Sequence, residues 1–423
     1  MCIDPANSAP ATAANQHRPE LEVADVIRSH GRDFLACHGR SLSPAQRRAF
    51  YALGRCRTAA LGGHVEECDA CGARVISYNS CRNRHCPKCL NGRAAAWLER
   101  EAKSLLPVEY FHVVFTVPHE LGPLALQNPA VVYDLVFQAA AQTLRQIAAD
   151  PRHLGAEIGV VALLHTWGQT LQHHPHVHCI VSGGGLAVDA RGRREQPARW
   201  LSCPRGFFLP EKVLSALYRG KFLALLRAAA DASQLQFHGE LAALAEPAAL
   251  RTFLQPLYDK PWVVDCGAAA FAGPEVVLKY LARYTHRVAI SNSRLVALSD
   301  GQVTFRYKDY AKGGQQRHMT LPAVEFLRRF FMHVLPKGFV KVRHYGLVAN
   351  GQREKKLSVC RELLAREGLV QAAAVVEPAT ADEGPRCPEC GEGHLHWVED
   401  IPRPWRAYRA KGAERVAVAC DSS

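Results

Sequence analysis

No stretch of this 423-residue sequence approaches the ~20 consecutive apolar residues that a membrane-spanning helix requires. Its start, Met1 to Pro10, lacks the basic-then-apolar layout of a secretory signal. The expectation is a cytoplasmic protein with no membrane partner. There is no internal repeat, and no Gly-x-x-x-x-Gly-Lys segment, which removes a nucleotide-binding loop of that kind. Acidic residues are in deficit: 39 Asp+Glu face 52 Lys+Arg, leaving a net charge of +13. That surplus favours a polyanionic partner, most often nucleic acid, over a merely basic enzyme. Wholesale disorder is excluded, because 48 % hydrophobic and 22 % charged residues is an ordinary globular mix.

The cysteines number 15. An odd count in a reducing compartment argues against a disulfide framework. Cys68-Asp-Ala-Cys71 and Cys86-Pro-Lys-Cys89 are two C-x-x-C pairs. Two thiolates on a tight turn can point at one ion, and two such turns complete a tetrahedron of sulfurs at ~2.3 Å from zinc. The expected structural zinc site is therefore Cys68, Cys71, Cys86 and Cys89, with His64, Cys81 and His85 as surplus ligands able to replace one of them. Arg82, Arg84 and Lys88 surround the pairs and suit phosphate contact. A closed four-sulfur site binds and does not catalyse. Cys387-Pro-Glu-Cys390 looks like half of another such site, with His394, His396 or Cys420 as possible completions.

His173-His174-Pro175-His176-Val177-His178 carries the most chemical information. In a strand, His176 and His178 share one face, while Val177, Cys179 and Val181 take the other. Two same-face imidazoles can hold one divalent ion. A third ligand could come from His165, eleven positions earlier, or from Gln169; a hydrogen-bonded histidine is the plainer reading of His165. Further on, Tyr280 and Tyr284 stand four apart and would stack on one face of a helix. Val277 and Leu281 share that face, so periodicity alone describes a core stripe. A phenol can nevertheless attack phosphorus when cations hold the phosphate in line, and Arg283, His286 and Arg287 lie close by. The run Lys337 to Lys356, including Arg343, reads as a surface that could track a phosphate backbone or as a solvated basic face.

Strands are expected at Tyr110–Val117, Ile158–His165, His176–Ser182 and Trp262–Asp265. Leu295–Ser299 and Gln302–Tyr307 form a hairpin over Asp300-Gly301. Helices fall at 131–149, 211–231, 273–287 and 322–334. The chain divides into a mobile tail (1–20), a helical and zinc-binding domain (21–108), a catalytic domain (109–335) and a C-terminal extension (336–423) that reads as irregular from Glu377. The irregular alternation favours α+β over a doubly wound sheet.

His-Pro-His-Val-His followed by Gly183-Gly184-Gly185, the segment Tyr280-Leu-Ala-Arg-Tyr284-Thr-His-Arg, the window Tyr78 to Cys89, and Arg343-His-Tyr-Gly346 occur in one order. Together they closely resemble the insertion sequence 91 family of transposases, over about residues 20–360. The resemblance implies a nuclease with a central antiparallel sheet flanked by helices, with His176 and His178 binding magnesium or manganese. It further implies Tyr280 and Tyr284 as paired nucleophiles that nick single-stranded DNA at an element end through a 5′-phosphotyrosine. A plasmid replication initiator or relaxase would use the same chemistry. A zinc-ribbon regulator without nicking activity, or a hydrolase using His173, His174, His176 and His178, are readings from other classes.

Overall fold

The computed structural model describes residues 21–89, 91–189, 191–204, 209–267, 271, 273–285, 288–368 and 386–404. The tail 1–20 and Cys420 lie outside the described residues. The N-terminal helices are α1 (Val23–His38) and α2 (Pro44–Gly54). Ser43 caps α2 by accepting the Gln46 N–H, and Pro44 takes the first helical position, where its missing N–H costs nothing. A hairpin follows, β1 (Gly63–Cys68) and β2 (Arg74–Tyr78), then α3 (Asn91–Ala102).

The centre is an antiparallel sheet built from β3 (Tyr110–Thr116), β4 (Ala156–Trp167), β5 (His173–Ala187), β6 (Trp200–Ser202), β7 (Val264–Asp265) and a strand from far downstream. Between these strands lie α4 (Gly122–Gln127), α5 (Pro129–Ala149), α6 (Glu211–Asp231) and α7 (Pro247–Asp259); α8 (Pro274–Thr285) comes after β7. The chain continues through β8 (Leu295–Ser299), β9 (Gln302–Asp309), β10 (Gln315–Pro322), α9 (Ala323–Met332), β11 (Val342–Gly346), α10 (Arg353–Arg366) and β12 (Leu395–Ile401). In space the central order is β11-β4-β5-β3-β7, with β6 beside β5. The expected α+β fold, a central antiparallel sheet flanked by helices, is what the chain forms.

Alternation along the strands separates two faces. Phe111, Val113 and Phe115 of β3, Val160, Ala162 and Leu164 of β4, and Val177, Cys179 and Val181 of β5 join one core with side chains of α5, α6 and α7. Burying each large apolar side chain contributes roughly 1.5–3 kcal/mol. The opposite face puts Tyr110, Val161 and Ile180 into a second core with Val277, Tyr280 and Leu281 of α8 and Leu357 of α10. Gly183-Gly184-Gly185 does not end β5 as its composition suggests. A Cβ at Gly185 would stand 2.2 Å from the Glu157 carbonyl oxygen, and one at Gly183 2.7 Å from that of Glu109. The missing side chains let the neighbouring backbones close in while the strand runs on to Ala187.

Packing does not follow chain order. The β8–β9 hairpin turns over Asp300-Gly301, both at positive φ (50° and 71°), as that dipeptide favours. With α9, this second sheet packs on α1 and α2 around Phe34, Phe50, Phe326 and Phe331. The C-terminal stretch, expected to be irregular, contributes β12, which pairs antiparallel with β1 and completes a β12-β1-β2 sheet. No described helix is long and apolar enough to cross a membrane.

Candidate functional site

The pairing of β4 with β5 sets His165 directly opposite His176. His178 lies two residues further along the same face, and one ligand nitrogen from each of the three histidines falls within 4.8 Å of the others. His165 thus joins the pair, while the Gln169 side chain is engaged elsewhere, its Oε1 accepting the Lys308 N–H at 3.4 Å. His173 meets the Tyr133 hydroxyl at 2.8 Å, and neither His173 nor His174 belongs to the cluster. Desolvation lowers the His176 imidazole to about 4, assisted by nearby His174. Desolvation, then the neighbouring His165, holds His178 well below its ordinary value. Both rings are therefore neutral near pH 7, the form in which imidazole ligates a metal. His176 Nδ1 faces the His174 carbonyl oxygen at 2.6 Å, which turns Nε2 toward the cluster.

α8 lies against this face. The Tyr280 hydroxyl is 2.8 Å from His112 Nε2 and 3.0 Å from His178 Nδ1, and those two nitrogens are 2.9 Å apart. Tyr280 thus touches a member of the histidine cluster directly. His112, on β3 opposite Ile180, escaped sequence reasoning; its only signal is a histidine inside an otherwise apolar strand. Burial lowers it to about 4. Tyr284 sits one turn further along α8, but its side chain and that of Arg283 are not among those described. His286 and Arg287 lie outside the described residues.

The cysteines require a correction. The four read as one site are divided between two clusters: Cys56, Cys81, Cys86 and Cys89 form one, and Cys68, Cys71, Cys387 and Cys390 the other. The reason is the β1–β2 hairpin. It carries the Cys68–Cys71 turn at its tip and returns Tyr78 beside Gly63, so Cys81 is back at the base. At ~3.3 Å per residue the strands separate tip from base by more than 15 Å, too far for one ion. Cys56, just past α2, takes the vacated role at the base. Sulfurs bound at ~2.3 Å to a tetrahedral zinc stand about 3.8 Å from one another. In the base cluster, Cys56–Cys89, Cys81–Cys89 and Cys86–Cys56 are separated by 3.5, 3.6 and 3.6 Å, compatible with a structural zinc. His85 instead meets the Phe330 carbonyl oxygen at 3.0 Å, and His64 stacks on Trp397.

With this geometry in hand, comparison with known proteins is decisive. A family described as "Putative transposase" matches residues 159–356, and one described as "Transposase zinc-binding domain" matches residues 26–117. A "Putative transposase y4qJ" from Sinorhizobium fredii is 51 % identical over 398 residues, covering 91 % of this chain and 98 % of the relative. The chain belongs to the insertion sequence 91 family of transposases. The "Transposase for insertion sequence element IS801" of Pseudomonas savastanoi pv. phaseolicola is 28 % identical over 306 residues, 70 % of this chain and 68 % of that one. No solved structure matches significantly.

In this transposase the basic residues singled out by sequence play unequal parts. Arg84 donates to the carbonyl oxygens of Phe339 and Leu335 at 2.7 and 3.0 Å. Lys88 pairs with Glu22. Arg343 pairs with Asp134 and lies over the rings of Phe137 and Phe339. Lys356 pairs with Glu157, and Lys341 lies over the Trp167 ring. Much of the 337–356 stretch therefore holds the fold. Arg82 differs: with Arg47, Arg48, Arg55 and Arg403 it lines a cleft of about 670 Å³ beside Cys81, and no carboxylate lines it.

Proposed function

We propose that this transposase nicks one DNA strand with Tyr280 as nucleophile and transfers that strand in rolling-circle-type transposition. The observation that carries the reading is the contact of the Tyr280 hydroxyl with His112 and His178, 2.8 and 3.0 Å away, beside three converging histidines. His165, His176 and His178 would hold the divalent ion. Three neutral nitrogens suit manganese better than magnesium, which prefers oxygen ligands. Such an ion polarises the scissile phosphate and offsets charge on the leaving 3′-oxygen.

The protein's own residues do the rest. The phenol donates its one proton to His112 Nε2 and accepts from His178 Nδ1–H, which leaves His178 Nε2 for the ion and orients the oxygen for in-line attack. The phenolic oxygen gives its proton to the neutral His112 imidazole it faces and forms the bond to phosphorus as the bond to the 3′-oxygen breaks; that oxygen takes a proton from water, giving a 5′-phosphotyrosine and a free 3′-OH. Energy stays in the phosphodiester, so rejoining needs no nucleotide. Tyr284, one turn along α8, would serve the second cleavage or the strand transfer. The scissile strand would be single, since an unpaired backbone can bend toward a largely buried phenol where a stiff duplex cannot. The flanking duplex would rest on the arginine cleft.

The test is incubation with single-stranded DNA containing the element end, labelled at its 3′ end, and manganese, followed by denaturation. Label should stay on the wild-type protein and be absent from Tyr280→Phe/Tyr284→Phe. Release of nicked DNA without an adduct would favour hydrolysis by activated water.

A further inference from the structure

We infer that Cys68, Cys71, Cys387 and Cys390 bind a second structural zinc, which clasps the C-terminal segment to the N-terminal sheet. The two halves of this site are the same turn built twice. Each is Cys-x-x-Cys-Gly. Gly72 and Gly391 take positive φ, 69° and 73°, a conformation that favours glycine. In each turn the glycine N–H donates to the carbonyl of the first cysteine, Gly72 to Cys68 at 3.0 Å and Gly391 to Cys387 at 2.9 Å. Each first cysteine donates its own N–H just beyond the turn, Cys68 to Ala73 and Cys387 to Gly393.

The facing sulfurs are spaced for one ion. Cys68 Sγ is 3.7 Å from Cys390 Sγ, and Cys71 Sγ is 3.8 Å from Cys387 Sγ. Those separations match the ~3.8 Å edge of a zinc–sulfur tetrahedron and are far beyond a disulfide bond of about 2.05 Å. Backbone N–H groups already aim at the sulfurs: Ala70 and Cys71 at Cys68 Sγ, 3.4 and 3.5 Å, and Gly393 at Cys390 Sγ, 3.4 Å. Such donors stabilise thiolates around a metal. The two turns are also tied to each other, since Asp69 accepts the His394 N–H at 2.8 Å and meets His396 at 3.2 Å. Then β12 runs down β1. More than 300 residues separate the two turns, so closing this site constrains a very long loop.

The experiment is zinc and iron content of the purified full chain, by elemental analysis and native mass spectrometry. The expected count is two zinc per chain, falling to one in Cys387→Ser/Cys390→Ser and staying at two in Cys390→His, which keeps a ligand. Gly393→Val leaves all four cysteines in place but brings a Cβ to 2.5 Å from Cys68 Sγ; it should release one zinc to a chelator at least tenfold faster. Iron in place of the second zinc, one zinc in the wild type, or two in the double serine variant would overturn the assignment. Should the double serine variant fail to fold, the wild-type count and the Gly393→Val release rate decide alone.

Discussion

The two faces of the central sheet are made by the same strands, residue by residue, yet they are built for different ends. Toward α5 and α6, β5 presents Val177, Cys179 and Val181, all fully buried. Toward α8 it presents His176 and His178, joined by His165 from β4 and His112 from β3. A period of two lets one strand carry a close-packed wall and a histidine-lined surface at once. The wall fixes strand positions, and strand positions fix where the nitrogens converge. Rigid support of this kind is what a metal and a nucleophile require.

The largest effect that separates the faces is on chemistry. Replacing His176 and His178 together by alanine should lower nicking by on the order of 10³-fold or more, while duplex binding, measured by gel shift, survives. Loss of both would place the histidines in the scaffold. On the opposite face, Phe115→Ala should cost about 3–5 kcal/mol of stability, read by denaturant unfolding. The fraction that remains folded should nick at the wild-type rate; a slower folded fraction would show that the wall does more than support. Between these lies His112→Gln, which keeps a hydrogen-bond acceptor but shifts its position. A rate loss of roughly 10–100-fold with unchanged manganese affinity would mark His112 as acting on the phenol and not on the ion.

Acid should distinguish the faces as well. His112 and His176 titrate at about 4 in the fold because burial disfavours their charged forms, against ~6.5 in an unfolded chain. The unfolded state therefore binds more protons across that interval. Their stabilising contribution is complete above about 6.5 and is lost as pH falls toward 4. Denaturant unfolding at several pH values should show this slope. His112→Gln should flatten it, whereas Phe115→Ala should lower stability without changing it. The smallest expected effect lies in the arginine cleft. Arg48→Ala/Arg55→Ala should weaken duplex binding and reduce the dependence of log K on log salt by about 0.9 for each phosphate no longer neutralised. An unchanged slope would move the duplex to another surface.

Much of this arrangement was legible in the sequence because it is local. Alternation in His176–Val181 separated the histidine face from the apolar one, and the four-residue step from Tyr280 to Tyr284 placed both on α8. What escaped depends on partners distant in the chain. His112 reaches Tyr280 only because β3 pairs with β5. Cys56 is a lone cysteine at a helix end, with no second ligand near it to announce a site. The two C-x-x-C pairs invited combination, yet the rise of the β1–β2 hairpin holds them apart, and each finds its ligands elsewhere. Charge was the least legible property. Arg343 and Arg82 look alike in sequence, but Asp134 and two aromatic rings engage the first while the second lines an open cleft.

The central claim is that Tyr280 becomes covalently joined to DNA. Peptide mass mapping of the denatured protein after reaction with single-stranded element-end DNA and manganese tests it most directly. A nucleotide adduct is expected on the peptide that carries Tyr280, absent from Tyr280→Phe and from His176→Ala/His178→Ala. Nicked DNA from wild-type protein with no adduct on that peptide, or an unchanged adduct in Tyr280→Phe, would contradict it.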